Sequence, residues 1–205
     1  MRLLGQLDSP YVRRVAIGFK LMGISVEHDP LSVFSNIQTL AAINPVLKVP
    51  TLECDDGTVL MDSTLILDWA RRIFEDDRLL PGDSAAFSLD MRMTGLALAA
   101  CEKAVQRVYE DRLRPADKQF DGWKERVENQ LSSALTELEN LLEARPLPAS
   151  EDDLTEGAIS LAVAWRFCEG MLPALVEQLA GPRVREFSQA CEALPVFNAY
   201  PFPTS

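Results

Sequence analysis

Pro50-Thr51-Leu52-Glu53-Cys54-Asp55-Asp56-Gly57-Thr58-Val59-Leu60-Met61-Asp62-Ser63 is the stretch on which the fold turns. Asp56-Gly57 lies between two strand-like runs, and glycine accepts the positive φ of a tight turn, so the pattern predicts a β-hairpin. Asp62-Ser63 then caps a helix with Leu65, Ile66, Trp69 and Ile73 expected on one face. Upstream, Asn44-Pro45 stops a weakly helical run from Val33 to Ile43, because a residue before proline is pushed out of the helical region. Ile24 to Glu27 reads as a strand. Before it, Gly23 is placed as the C′ residue of a helix that begins at Ser9-Pro10 and keeps Val12, Val15, Ala16, Phe19 and Met22 on one face. Arg2-Leu3-Leu4-Gly5 is a first short strand. The order is βαβα followed by ββα, which predicts an α/β domain of about 75 residues with helices on both faces of its sheet.

Beyond Pro81-Gly82-Asp83-Ser84 the strand pattern disappears. Phe87, Met91, Thr94, Leu98, Cys101, Val105 and Val108 recur at steps of four and three, predicting a long helix with one apolar seam. Pro115 ends it. Trp123 to Leu142 marks a second long helix, and Asp153 with Glu156 is expected as the N-cap/N3 pair of a third, in which Trp165 belongs to the core. Arg183 to Leu194 gives a last helix, and Pro195, Pro201 and Pro203 keep the tail extended. The expected division is residues 1–77, a linker over 78–84, and an all-helical bundle over 85–205.

Composition narrows the function. The chain has 205 residues, 47% of them apolar, which supports a packed core rather than disorder. Its formal charge is −11, the wrong sign for a phosphate backbone, so nucleic acid is not an expected partner. Charges at Arg2, Asp8, Arg13, Arg14 and Lys20 interrupt any secretory h-region, and no run reaches the roughly 18 apolar residues that would cross a bilayer. Cys54, Cys101, Cys168 and Cys191 are widely spaced, and the single histidine is His28. Neither a disulfide framework nor a zinc site is expected, and a reducing, cytoplasmic location follows.

Three segments carry a family resemblance. Ser9-Pro10-Tyr11-Val12-Arg13-Arg14-Val15 resembles the segment after the first strand in serine-type glutathione S-transferases. Asn44-Pro45-Val46-Leu47-Lys48-Val49-Pro50 resembles that family's turn into a cis-proline, and Asp62-Ser63 its acidic residue and serine. Weaker similarity continues in Asp153 to Ala164 and Ala193 to Phe197. The resemblance implies a thioredoxin-like α/β N-terminal domain followed by an all-α one. It also implies glutathione as co-substrate, without a tightly bound cofactor or metal, and a homodimer with no membrane partner.

It implies roles for residues as well. Ser9 stabilises the glutathione thiolate, the Val49–Pro50 backbone pairs with the peptide, Asp62 and Ser63 hold the γ-glutamyl end, and Lys48 is the best cation for the glycyl carboxylate. The physical chemistry agrees. A thiol of pKa about 8.5 is only about 3% ionised at pH 7, and lowering it by about two units takes about 2.7 kcal/mol, within reach of a few hydrogen bonds at a helix start. On local sequence alone, Ser9, Asp62 and Ser63 are equally helix caps, and Pro50 is equally a strand-entry proline.

The electrophile side is expected between the domains, against the long helix, with Tyr11, Arg107, Val108 and Arg112 as wall residues and Phe197 and Phe202 as further candidates from the tail. Arg13 and Arg14 are candidates for holding the domain interface, and Phe87, Met91 and Met93 for apolar contact in the dimer. The leading function is conjugation of glutathione to small apolar electrophiles, as in detoxification. A non-catalytic glutathione-binding or structural role is the main alternative, and a glutathione-dependent reductase, isomerase or peroxidase the third. Serine rather than cysteine at position 9 disfavours disulfide exchange.

Overall fold

Leu3 and Leu52 are fully buried and belong to the two strands at the middle of the first sheet. The computed structural model describes residues 1–179 and 181–203. Its strands β1 (Arg2–Leu4), β2 (Glu27–Asp29), β3 (Thr51–Glu53) and β4 (Val59–Met61) lie in the order β2-β1-β3-β4. β1 runs parallel to β2 and antiparallel to β3, with Leu3 opposite both His28 and Leu52. β3 and β4 form the predicted hairpin, with Gly57 at φ 84°. Helices α1 (Pro10–Leu21), α2 (Ile37–Ile43) and α3 (Ser63–Phe74) complete the thioredoxin-like βαβαββα order.

α1 stops as its sequence dictates. Gly23 takes φ 67°, its N–H reaches Lys20 O at 3.2 Å, and the Ile24 N–H reaches Phe19 O at 2.8 Å. These are the two bonds of a Schellman cap. The cap draws Ile24 into the core with Phe19, so β2 begins only at Glu27, later than the expected Ile24. α2 likewise starts at Ile37 rather than Val33. Asn36 Oδ1 accepts the Ser32 N–H at 3.0 Å and Ser32 Oγ accepts the Phe34 N–H at 3.1 Å, so side chains take amides that a helix would use.

α3 turns a different face inward from the expected one. Ser63, Ile66, Leu67 and Ala70 are buried, while Leu65 and Ile73 are 63% and 59% exposed. Gly18 of α1 gives room for this: a Cβ there would stand 2.9 Å from Leu67 Cδ2, so a larger residue would require the Leu67 side chain to shift.

The chain divides into two compact units, Met1–Leu80 with the segment from Leu194, and Pro81–Ala193. The tail groups with the first unit, not with the helical one as the sequence suggests. A short helix, α9 (Pro195–Asn198), packs on α1, Arg13 Nε donates to Tyr200 O at 2.8 Å, and the Arg13 guanidinium lies 5.7 Å from the Phe197 ring centroid. Tyr200 also meets His28 edge to face at 6.5 Å.

The second unit is all helical: α4 (Ser84–Arg112), α5 (Asp121–Ala144), α6 (Glu156–Met171), α7 (Pro173–Leu179) and α8 (Pro182–Glu192). α6 is buried along most of its length and packs on α4 and α8. The α4 seam runs through Met93, Thr94, Ala97, Ala100, Cys101, Ala104 and Val108. Phe87 and Met91, expected in the seam, are exposed. Alanines admit a neighbouring helix more closely than the larger residues do, and the packed face follows them. The α6 cap also differs from expectation. Thr155, not Asp153, is the N-cap, and its Oγ1 accepts the Ala158 N–H at 3.2 Å. Trp165 is in the core as expected. Among the described residues no helix is long and apolar enough to cross a membrane.

Candidate active site

The end of β1 delivers Ser9. Gly5 leaves the strand at φ 134°, and a Cβ there would lie 2.5 Å from Val12 Cγ2 and 2.9 Å from Val49 Cβ. Glycine therefore lets the start of α1 and the Val49 loop close on the strand end. His28 Nε2 pairs with Gly5 O at 2.8 Å and holds the same turn. Ser9 follows as the N-cap of α1 with φ −72° and ψ 120°, and its Oγ lies 3.4 Å from the Val12 N–H. That bond is long, and it uses the oxygen only as acceptor, so the hydroxyl proton remains able to donate. Ser9 and Tyr11, two residues on, are both half-buried.

The Lys48-Val49-Pro50 segment is shaped by Asn44, the helix stop that also opens the motif leading to Pro50. Asn44 is buried, and its Nδ2 donates to Thr51 Oγ1 at 2.9 Å while its Oδ1 accepts the Val46 N–H at 3.1 Å. Thr51 Oγ1 in turn donates to Lys48 O at 2.6 Å. The Val49–Pro50 peptide is cis. The β1–β3 register begins at Thr51, so Val49 lies outside the ladder, and Lys48 is exposed on the same loop.

At the start of α3, Asp62 sits at φ 74° and caps the helix, its Oδ1 accepting the Thr64 and Leu65 N–H groups at 2.8 and 3.2 Å. The first intrahelical bond runs from the Ile66 N–H to Asp62 O at 2.9 Å. The Ser63 N–H is thus a first-turn amide with neither a capping nor a helical partner among the described residues. The Ser63 side chain is buried, and Arg14 Nη1 donates to both Ser63 Oγ and Thr64 Oγ1 at 3.0 Å. Sequence reading missed this role of Arg14. The available signal was two adjacent arginines inside an otherwise apolar helix, which points to burial with partners rather than solvation. Arg13 and Arg14 both make these contacts within the first unit.

The three expected wall residues on α4 have different surroundings. Arg107 Nε bonds Glu128 Oε1 of α5 at 2.5 Å and its guanidinium also pairs with Asp111. Burial opposes the Arg107 charge, but the bonds to Glu128 and Asp111 outweigh it and raise its pKa. Val108 is buried in the helical core, and Arg112 is exposed. Phe197, expected from the tail, is buried beneath Arg13.

Thiol chemistry by the protein itself is disfavoured. All four cysteines are buried and outside any disulfide. Burial pushes Cys168 and Cys191 up to about 12 and raises Cys54, the opposite of what a nucleophilic thiol needs. Among the described residues no group of three His, Cys, Asp or Glu side chains could hold a metal ion.

Comparison with known proteins accords with this geometry. Residues 3–78 match the family described as glutathione S-transferase, N-terminal domain. Glutathione S-transferase U4 of Arabidopsis thaliana is 34% identical over 83 residues, 40% of this chain and 37% of that protein, so the chain spans little more than a third of that relative's length. The uncharacterized GST-like protein YibF of Escherichia coli is 27% identical over 80% of this chain and 81% of its own. The solved glutathione S-transferase of Methylobacterium radiotolerans, in complex with glutathione sulfonate, superposes with a TM-score of 0.86 at 25% identity over 100% of this chain and 96% of that one. A glutathione transferase family member from Pseudomonas fluorescens Pf-5, with bound S-(propanoic acid)-glutathione, gives 0.79 at 27% identity over the whole of both chains. Residues 3–78 thus match the glutathione S-transferase N-terminal domain, and over its full length the chain is similar in fold to these solved glutathione transferases.

Proposed function

We propose that this chain is a cytoplasmic, homodimeric glutathione transferase in which Ser9 stabilises the glutathione thiolate. The carrying observation is that three segments distant in sequence meet around the end of β1: Gly5 seats Val49 against α1, and Arg14 ties α1 to Ser63. The Ser9 hydroxyl donates to the thiolate sulfur, aided by the positive end of α1. Val49, outside the ladder, pairs through its backbone with the cysteinyl unit, in the manner of strand addition. Asp62 balances the ligand ammonium, the Ser63 N–H and hydroxyl donate to the α-carboxylate, and Lys48 faces the glycyl carboxylate.

In the reaction the ionised sulfur attacks an electrophilic carbon. A C–S bond forms; in substitution the leaving group departs with its electron pair, and in addition the π pair moves to the neighbouring atom, which takes a proton from solvent in place of the one the thiol released there. Tyr11, two residues past Ser9, walls the electrophile side of this unit. On α4, Arg112 is the exposed member of the expected trio, while Arg107 and Val108 also serve their own unit's packing. Exposed Phe87 and Met91 supply apolar surface for the dimer; Met93 is buried and does not.

The cap bond between Ser9 Oγ and Val12 favours one second reading, a glutathione-binding protein without turnover. Retention on immobilised glutathione together with turnover of a chloronitroaromatic is the expected result. Retention without turnover selects the second reading, and absence of retention contradicts both.

A further inference from the structure

Arg14 lies on α1, is not among the residues the sequence marks as touching glutathione, and is only 1% exposed. Its Nη1 is 3.0 Å from Ser63 Oγ and 3.0 Å from Thr64 Oγ1, the first two residues of α3. A guanidinium only donates, so both hydroxyl oxygens act as acceptors toward it, and each hydroxyl proton must point elsewhere. A serine hydroxyl is otherwise ambivalent, able to present either a lone pair or a proton. Here Ser63 is itself only 3% exposed, so it has little freedom to reorient. The buried cation, the outward O–H and the Ser63 N–H at the positive end of a twelve-residue helix add potential of one sign at one place. Asp62 occupies the adjacent first-turn amides, which leaves its carboxylate beside this donor pair rather than on it.

We infer that Arg14 is a positioning residue that fixes the Ser63 hydroxyl as a donor and thereby selects γ-glutamyl thiols bearing a free α-carboxylate. The inference rests on the glutathione reading above and adds a residue that discriminates among ligands without touching them. Arg14 acts on one end of the ligand only, the end that Ser63 reaches. Thr64 Oγ1 accepts from the same Nη1 and so gives the guanidinium a second anchor on α3.

The test compares dissociation constants of the whole protein for glutathione and for γ-aminobutyryl-cysteinyl-glycine, which is glutathione without its α-carboxylate, by titration calorimetry. The parent should prefer glutathione by about tenfold or more, the scale of a charge-assisted hydrogen bond. In Arg14→Met that preference should fall to about threefold or less, with affinity for the decarboxylated ligand nearly unchanged. Ser63→Ala should lose the same preference, and the double variant should lose little more, because both act on one contact. Arg14→Gln keeps a polar side chain, but its amide can accept as well as donate and so no longer fixes the Ser63 hydroxyl as a donor; it should also lose most of the preference, which covers failure of the methionine variant to fold. Equal weakening of both ligands in the arginine variants, or a preference that survives them, overturns the inference and leaves Arg14 as a packing residue. A parent that binds neither ligand overturns the glutathione reading as well.

Discussion

Arg14 and Asp90 are both charged and almost wholly buried, and each holds the start of a helix other than its own. Arg14 serves α3. Asp90, on α4, accepts the Thr155 hydroxyl and, through Oδ2, the Gly157 N–H at 3.1 Å, fastening the first turn of α6. A Cβ on Gly157 would stand 2.5 Å from Asp90 Oδ1 and 2.8 Å from Asp90 O, so the contact also requires glycine. Asp90→Ala should therefore cost about 2–4 kcal/mol in urea unfolding, the range for stranding buried donors of a charged hydrogen bond. A loss below about 0.5 kcal/mol would show that the α6 cap does not depend on it. The cysteines give a prediction of opposite pH sense. Burial raises Cys168 from 9.0 to about 12, so the folded chain holds its proton where the unfolded chain releases it. That stability is fully present below pH 9 and is lost as pH rises toward 12, with a slope of up to about 1.4 kcal/mol per pH unit. Cys168→Ala should show a shallower alkaline decline than the parent; parallel declines would contradict the assigned cause.

How much of each element was legible depended on how local its signals are. Ser9-Pro10 and Gly23 delimit α1 through contacts within a few residues, and the Asp56-Gly57 turn sets the hairpin, so these follow from sequence. α3 carries two overlapping apolar faces, and the one that packs meets another helix near Gly18, a contact that periodicity cannot report. The α6 cap depends on Asp90, 65 residues earlier in the chain, so Asp153 was the better local candidate and the wrong one. In the site, Ser9, Val49, Asp62 and Ser63 are the positions the motifs mark, whereas the bonds of Arg14 to α3 and of Asn44 to Thr51 are side-chain contacts that the motifs do not spell out. The contact of α4 with α5 is also charged at one end, where Asp111 meets Lys124 at 3.0 Å and pairs with Arg107. Burial pushes the Asp111 pKa up, but the bonds from Lys124 and Arg107 outweigh it and hold it below 3.8. Its contribution is thus present above pH 3.8 and lost as pH falls through the lower folded value. Asp111→Asn should destabilise by less than about 1 kcal/mol near neutrality, since the pair is partly solvated, and the difference from the parent should vanish in acid. A difference that persists unchanged in acid would assign the effect to packing.

For the whole molecule, the βαβαββα order and the switch to helices after Pro81 follow from the period of the apolar residues. The tail does not: Pro195 opens the short helix α9 where an extended backbone was expected, and prolines do not report the surface a tail meets. Arg13, near the start of the chain, supplies that surface through Tyr200 and Phe197. The proposed dimer should sediment at twice the 22.8 kDa chain mass at micromolar concentration, and Met91→Lys should shift it toward single chains. A parent that sediments as a single chain would rule the dimer out. Central to the account is the thiolate, which the start of α1 is proposed to stabilise through Ser9. The direct measurement is a spectroscopic pH titration of the glutathione thiolate bound to the parent and to Ser9→Ala, run beside the pH–rate profile for conjugation. The parent should hold the thiol about two units below its free value near 8.5. The alanine variant should return it upward and lose about 10- to 100-fold in rate near neutrality, recovering much of this as pH rises. An unchanged thiol pKa and rate in Ser9→Ala would contradict the account and leave Ser9 as the cap of α1.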